Sequence, residues 1–251
     1  MGEPVLVLDG VGRGFRRGRR RWRVLADVSL SVAPGEVVGV VGARGEGKTT
    51  LLEVAAGIEL PDEGSVRFEG HDLTCCSVEG RAALLGDRIS WMHREGMGGF
   101  TVLDYVGMPL AMGRGRRMSA ADDLALEALG RFGIEECAER YWDELSNWER
   151  LVVGVARGFV SRPSLMVIDD LLDSLGPRGT REAGEMLLSI ARELRCAVLV
   201  GACDFEAVLM ADRVLCFDGS GGLQVMSGQT DPTNVISLPD SRRQTSAARR
   251  A

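Results

Sequence analysis

The run Gly42-Ala43-Arg44-Gly45-Glu46-Gly47-Lys48-Thr49 sets glycines, a lysine and a hydroxyl at every fixed position of the pattern G-x-x-x-x-G-K-[ST]. Those residue types at that spacing suit one task, holding the phosphates of a nucleotide. Glycines let successive backbone N–H groups turn inward as a nest around phosphate oxygens. A helix starting at Lys48 would add about half a positive charge at its N-terminus. Lys48 is then expected to reach the β- and γ-phosphates while the Thr49 hydroxyl coordinates Mg²⁺. Arg44 and Glu46 fill variable positions, and Glu46 sets a negative charge beside an anionic ligand. The expected ligands are ATP and Mg²⁺, bound along Gly42, Ala43, Arg44, Gly45, Glu46, Gly47, Lys48, Thr49 and Thr50. The alternative is a glycine-rich turn with a chance Lys-Thr. A strand-like run before the loop and a helical one after it argue against that.

The flanking elements follow from hydropathy period. Val5–Leu8 and Val24–Val32 read as two antiparallel strands. Between them stand Arg13, Arg16, Arg17, Arg19, Arg20, Arg21 and Arg23, read either as a solvated hairpin loop or as a contact for anionic lipid or ligand phosphate. Glu36–Val41 is a buried strand, Lys48–Ala56 a helix, and Gly64–Glu69 and Arg88–Met92 further strands. From Val102 to Val160 the period turns helical, with Val152, Val155, Ala156, Phe159 and Val160 on one face of the last helix. Strands return at Leu165–Asp169, Ala197–Val200 and Arg213–Phe217, with a helix over Arg178–Leu194. This order predicts an α/β fold. Its core is a mostly parallel sheet flanked by helices, about 1–92 and 163–230. An antiparallel β-subdomain lies at its N-terminal end and a helical subdomain, about 93–162, is inserted. Residues 1–238 form one domain, and the polar Pro239–Ala251 reads as a disordered tail.

Net charge is −6 with pI about 5.2, which gives no electrostatic support for a nucleic-acid partner. The apolar runs are strand-sized, and Met1-Gly2-Glu3-Pro4 lacks the basic start and apolar core of an export signal. Leu6 stands where myristoylation of Gly2 wants Ser or Thr. The six cysteines form no CxxC pair, so reduced thiols in a cytosol are expected. Membrane contact is then expected only through partners.

Five further segments resemble, in order, those of ABC transporter ATPase subunits, and the resemblance runs from about Val5 to Gly228. It implies a P-loop NTPase core and a helical signature subdomain. Leu165-Met166-Val167-Ile168-Asp169 looks like the Walker B strand, expected beside the phosphate-loop strand with Asp169 holding Mg²⁺ through water. Phe15 resembles the aromatic that stacks on adenine, or is an ordinary hairpin aromatic. Leu145-Ser146 opens what looks like the signature helix, and Ala211-Asp212-Arg213-Val214 matches a run near the domain's end. Thr101 to Leu110 is similar to a segment of the lipoprotein-release and macrolide-export branch, where the family meets its membrane subunit.

Four positions depart from that pattern. No Gln lies between Gly86 and Met108, and Arg94 falls at the Q-loop place. Asp170, one methylene shorter, replaces the glutamate that polarises water. Cys203 is nearest to the switch histidine, the only histidines being His71 and His93. Asp173-Ser174-Leu175-Gly176 puts Gly where the D-loop has Asp. The signature itself reads Leu145-Ser146-Asn147-Trp148-Glu149. Ser146 can face a γ-phosphate held by a second subunit, or Ser146 and Glu149 can form a capping box needing no ligand.

Binding and hydrolysis place different demands on such a site. The loop, Lys48, Thr49 and Asp169 suffice to bind ATP-Mg. Asp170, Arg94 and Cys203 are weak stand-ins for the groups that place water and meet the transition state. The resemblance implies head-to-tail pairing with a second, competent ABC ATPase, permease subunits, and a cytoplasmic place at the inner face of the cell membrane. The alternatives are a non-hydrolysing ATP-dependent scaffold and a slow homodimeric ATPase.

Overall fold

The computed structural model describes residues 3–18, 20–93, 99–113, 118–170 and 175–226. Arg94, Asp173, Ser174 and the tail 239–251 lie outside them. Two sheets organise the chain. The first is antiparallel, ordered β2-β1-β4-β5, from β1 (Leu6–Arg17), β2 (Arg20–Val32), β4 (Glu63–Phe68) and β5 (His71–Asp72). The second is ordered β10-β9-β3-β8-β7-β6, from β3 (Val37–Val41), β6 (Ile89–His93), β7 (Leu165–Asp169), β8 (Ala197–Ala202), β9 (Arg213–Phe217) and β10 (Leu223–Met226). All its neighbours pair in parallel except β10, an antiparallel edge strand. β3, β7 and β8 are buried at every position, as expected of strands covered on both faces.

The helices are α1 (Lys48–Ala55), α2 (Val78–Asp87), α3 (Val102–Gly113), α4 (Met118–Arg131), α5 (Asn147–Phe159) and α6 (Gly176–Leu194). The N-terminal sheet, α1 and one face of the main sheet share a core that includes Leu6, Val28, Leu51, Phe68 and Leu199. The opposite face packs on α5 and α6 through Leu151, Val155, Phe159, Leu187 and Val198. A third cluster joins α3, α4 and α5 through Val106, Leu129, Val152 and Ala156. The apolar residues of the α5 helix thus do not share one partner. Val155 and Phe159 turn to the sheet while Val152 and Ala156 turn to the other helices. The helix buries Leu151 completely enough that truncation to Ala would cost about 2–5 kcal/mol. Gly158 permits this two-sided packing, since a Cβ there would stand 2.5 Å from Met166 Cε and 2.8 Å from Met92 Sδ. α2 and β10 are not legible in the sequence because neither is strongly patterned.

Two expectations need correction. The arginine-dense stretch is not a loop: β1 and β2 extend through it, with Phe15 opposite Trp22 and Arg16 opposite Arg21 in register. Arg13 binds Asp62 at 2.9 Å and Glu59 at 2.6 Å, and Arg23 binds Glu63, so carboxylates near β4 offset the base of the hairpin. Nor does β7 lie beside β3, because β8 stands between them.

Candidate functional site

The C-terminal ends of β3, β7 and β8 converge on the start of α1, the end of a parallel sheet at which ligands bind. β3 delivers the loop and α1 begins at Lys48. Gly47, the N-cap residue of α1, has φ 112°, and a Cβ there would meet Val24 Cγ1 at 2.7 Å. Glycine is therefore required by both conformation and space. Gly47 gives α1 no side-chain cap, so the N–H groups of its first turn are turned outward for a ligand to accept.

Lys48 is buried, at 5% exposure, with its ammonium donating to the Gly42 carbonyl at 2.8 Å and the Ala43 carbonyl at 3.2 Å. A cation held this deep, beside an uncapped helix start, fits a polyphosphate. The Thr49 hydroxyl on α1 donates to Asp169 Oδ2 at 2.8 Å, although β8 stands between β7 and β3, the strand that leads into α1. Helix α1 crosses the sheet end and carries Thr49 to Asp169. One turn further, burial and the charges of Glu59 and Asp169 push the Glu53 carboxyl up from its usual value.

Glu46 does not stand as a loose charge against a ligand. Its Oε2 accepts from the Ala43 N–H at 2.7 Å, bracing the loop from within. Asp170 follows β7 with φ 49°, a left-handed conformation that Asp tolerates better than most residues. Its Oδ1 lies 3.9 Å from the Cys203 Sγ, and that same sulfur accepts from Lys48 Nζ at 3.3 Å. The structure thus brings Lys48, Thr49, Asp169, Asp170 and Cys203 together. Arg94, the remaining expected member, lies outside the described residues.

Phe15 sits on the hairpin, 6.3 Å from Trp22 between ring centroids, with the Arg13 guanidinium 5.2 Å over its ring. Trp22 is 45% exposed and lies two residues before Val24, which packs on Gly47. The aromatic pair therefore spans the β1–β2 hairpin, whose β2 strand roofs the loop through Val24. Trp22 is not legible as a site residue in the sequence, since only the strand register places it opposite Phe15.

Ser146 and the start of α5 lie in the helical block, apart from this cluster. The capping box is formed: Glu149 N–H donates to Ser146 Oγ at 3.2 Å and Ser146 N–H to Glu149 Oε2 at 2.7 Å. Arg140 adds a bond to Glu149 at 2.6 Å. The Ser146 hydroxyl, the Ser146 backbone N–H and the Arg140 contact draw the Glu149 carboxyl down to about 2. Asn147 and Trp148 line an open groove of about 380 Å³ with Leu175, Arg178, Gly179 and Glu182. Asp212, in the run near the domain's end, accepts from Val37 N–H at 2.9 Å and pairs with Arg192 at 2.7 Å. Those bonds clamp β3 to α6 without reaching the loop.

A family model described as ABC transporter matches residues 25–172. The chain belongs to the ABC transporter family. It is 32% identical over 217 residues to the lipoprotein-releasing system ATP-binding protein LolD of Hyphomonas neptunium, covering 86% of this chain and 95% of that protein. LolD of Bordetella pertussis is 33% identical, with 88% and 96% covered. Among solved structures, the dimeric ATP-binding cassette MJ0796 with ADP and Pi in a post-hydrolysis state superposes with a TM-score of 0.79. Identity there is 21%, with 89% of this chain and 99% of that one covered. The ABC fold explains the two sheets and the helical block, and the LolD likeness accords with the Thr101–Leu110 segment. Among the described residues of this ABC family member, no helix is long and apolar enough to cross a membrane.

Proposed function

We propose that this chain is the LolD-like ATP-binding subunit of an ABC transporter, binding ATP-Mg strongly and hydrolysing it poorly. The observation that carries the proposal is the contrast within one cluster. Lys48 and the Thr49–Asp169 pair are assembled, whereas Asp170 and Cys203 fill the neighbouring places. ATP would rest on the backbone from Gly42 to Thr50 with Lys48 at its phosphates, Mg²⁺ would be held by Thr49 and, through water, by Asp169, and Phe15 would face the base. The nucleotide supplies the γ-phosphoryl group. The chain's own part is to bind, orient and exclude water.

Two groups limit the chemistry. Asp170 is one methylene short of a glutamate, and displacement of a catalytic group by about 1 Å can cost about 10²-fold. Cys203 gives a thiol where the family pattern has an imidazole. Turnover in the cell would then need a second, competent ABC ATPase in a head-to-tail pair, with permease subunits supplying the membrane contact and a cytoplasmic location. Calorimetry tests the binding half. ATP should bind saturably and only with Mg²⁺, and Lys48→Ala should weaken it about 30-fold or more, the loss of a charge-assisted contact. Equal binding by wild type and Lys48→Ala would show that this loop is not the site.

A further inference from the structure

The β1–β2 register sets Arg16 opposite Arg21 and Arg17 opposite Arg20, and Arg19 falls between the strands in sequence. Like charges directly opposite one another on a β-ribbon repel. At the base of the hairpin the chain supplies Glu59, Asp62 and Glu63 to Arg13 and Arg23. Near its tip Arg16 and Arg20 are exposed, and neither has an acidic partner among the described residues. A second charged surface complements this one. Glu135, Glu136, Glu139 and Asp143 lie on and between the short 3₁₀ turns Glu135–Cys137 and Trp142–Glu144, which lead into Ser146 and α5. All four are exposed and paired with no cation among the described residues. Arg140, in their midst, is already tied to Glu149 at 2.6 Å.

We propose that the arginine hairpin docks on the acidic segment 135–143 of a second copy of this chain, as an ionic latch on a head-to-tail pair. The arrangement rests on the pairing proposed above. What is added is that this chain's own two surfaces match, so a second copy can take the place of the competent ATPase. Val24 packs on Gly47, which puts β2 at the border of the phosphate loop. Three residues of strand, about 10 Å, carry β2 from there to Arg21. In a head-to-tail pair Ser146 of one subunit faces the loop of the other, so the segment just before Ser146 comes to lie beside β2. A two-fold axis then uses both surfaces of both copies and closes the assembly at two. An anionic membrane fits the hairpin less well. The Thr101–Leu110 segment, which resembles the family's permease contact, lies in α3 beside α2, at the β6 edge of the main sheet. β2 is tied to the opposite edge, its Ala26 N–H donating at 2.8 Å to the Gly221 carbonyl in the β9–β10 turn.

The test is sedimentation velocity of the full-length chain with ATP-Mg, which should show a dimer at low salt that weakens about tenfold or more between roughly 50 mM and 500 mM salt. Arg16→Glu with Arg20→Glu should weaken pairing about tenfold or more, and so should Glu136→Arg with Glu139→Arg. Mixing the two variants should restore it, because both contacts of the mixed pair again join opposite charges. Circular dichroism checks each fold. Should a reversal unfold, Arg16→Gln with Arg20→Gln takes its place, and loss of the salt dependence decides. Variants that pair as tightly as wild type, or a mixture that pairs no better than either variant alone, overturns the latch. So does binding to phosphatidylglycerol vesicles that Arg16→Glu with Arg20→Glu abolishes while pairing is unchanged, which would assign the hairpin to lipid. Calorimetric ATP binding by a chain that stays monomeric overturns the latch and leaves the nucleotide site standing. Absence of ATP binding overturns the phosphate-loop function, and mixing the variants without nucleotide then decides the latch by itself.

Discussion

Asp170 Oδ1 and Cys203 Sγ stand 3.9 Å apart at the ends of neighbouring strands β7 and β8. They thus form one patch beside Lys48; on the proposed reading, in which they stand in for a glutamate and a histidine, restoring one alone leaves the other unmatched. Asp170→Glu with Cys203→His should raise the turnover of the purified chain above a near-background wild-type rate, each single change giving less than the double. Coupled phosphate release measures this. Ordinary wild-type turnover that disappears in Asp169→Asn would show that the site needs no repair.

Phe15 and Trp22 give a second prediction. The exposed indole should be quenched as ATP is added, and Trp22→Ala or Phe15→Ala should weaken ATP by about 1–3 kcal/mol, the worth of one base stacked on an aromatic. Fluorescence titration reads both. Unchanged affinity in both variants would mean that the hairpin rings serve only each other.

Glu149 sets a pH dependence. Its folded value of about 2 lies below the ordinary 4.5, so the ionised group stabilises the fold above about pH 4.5. That contribution fades as pH falls through 4.5 toward 2. Glu149→Ala should cost about 1–2 kcal/mol in urea unfolding at pH 7, and clearly less at pH 3. A difference of the same size at both pH values would contradict the assignment.

The start of α5 bears on the partner. Trp148, with 36% exposure, lines the groove with Leu175 and Arg178, and on the proposed reading it puts bulk where the family's signature has glycine. If a competent ATPase faces this surface with its own phosphate loop, restoring glycine at Asn147 and Trp148 should speed hydrolysis by the co-purified pair. Lys48→Ala here should slow the pair much less than the matching change in the partner. The reverse ranking would place turnover in the other half of the pair.

The sequence alone determined the phosphate loop, the parallel strands around it and the inserted helices. Each rests on short-range information: glycine spacing, strands buried on both faces, and the period of apolar residues. Leu165–Asp169 and Arg213–Phe217 were legible to the residue because each is an apolar run of four bounded by a charged residue. The hairpin was not, since seven arginines hide a strand pattern that only cross-strand pairing with β1 and ion pairs to Glu59, Asp62 and Glu63 sustain. Tertiary structure decided the rest. The insertion of β8 between β3 and β7 depends on long-range strand order, which no local pattern encodes. That order carries Cys203 to Lys48 and leaves Thr49 to reach Asp169 across it from α1. At Ser146 the sequence admitted two roles, and hydrogen bonds to Glu149 made the cap, because a helix start must satisfy its own N–H groups whether or not a ligand arrives.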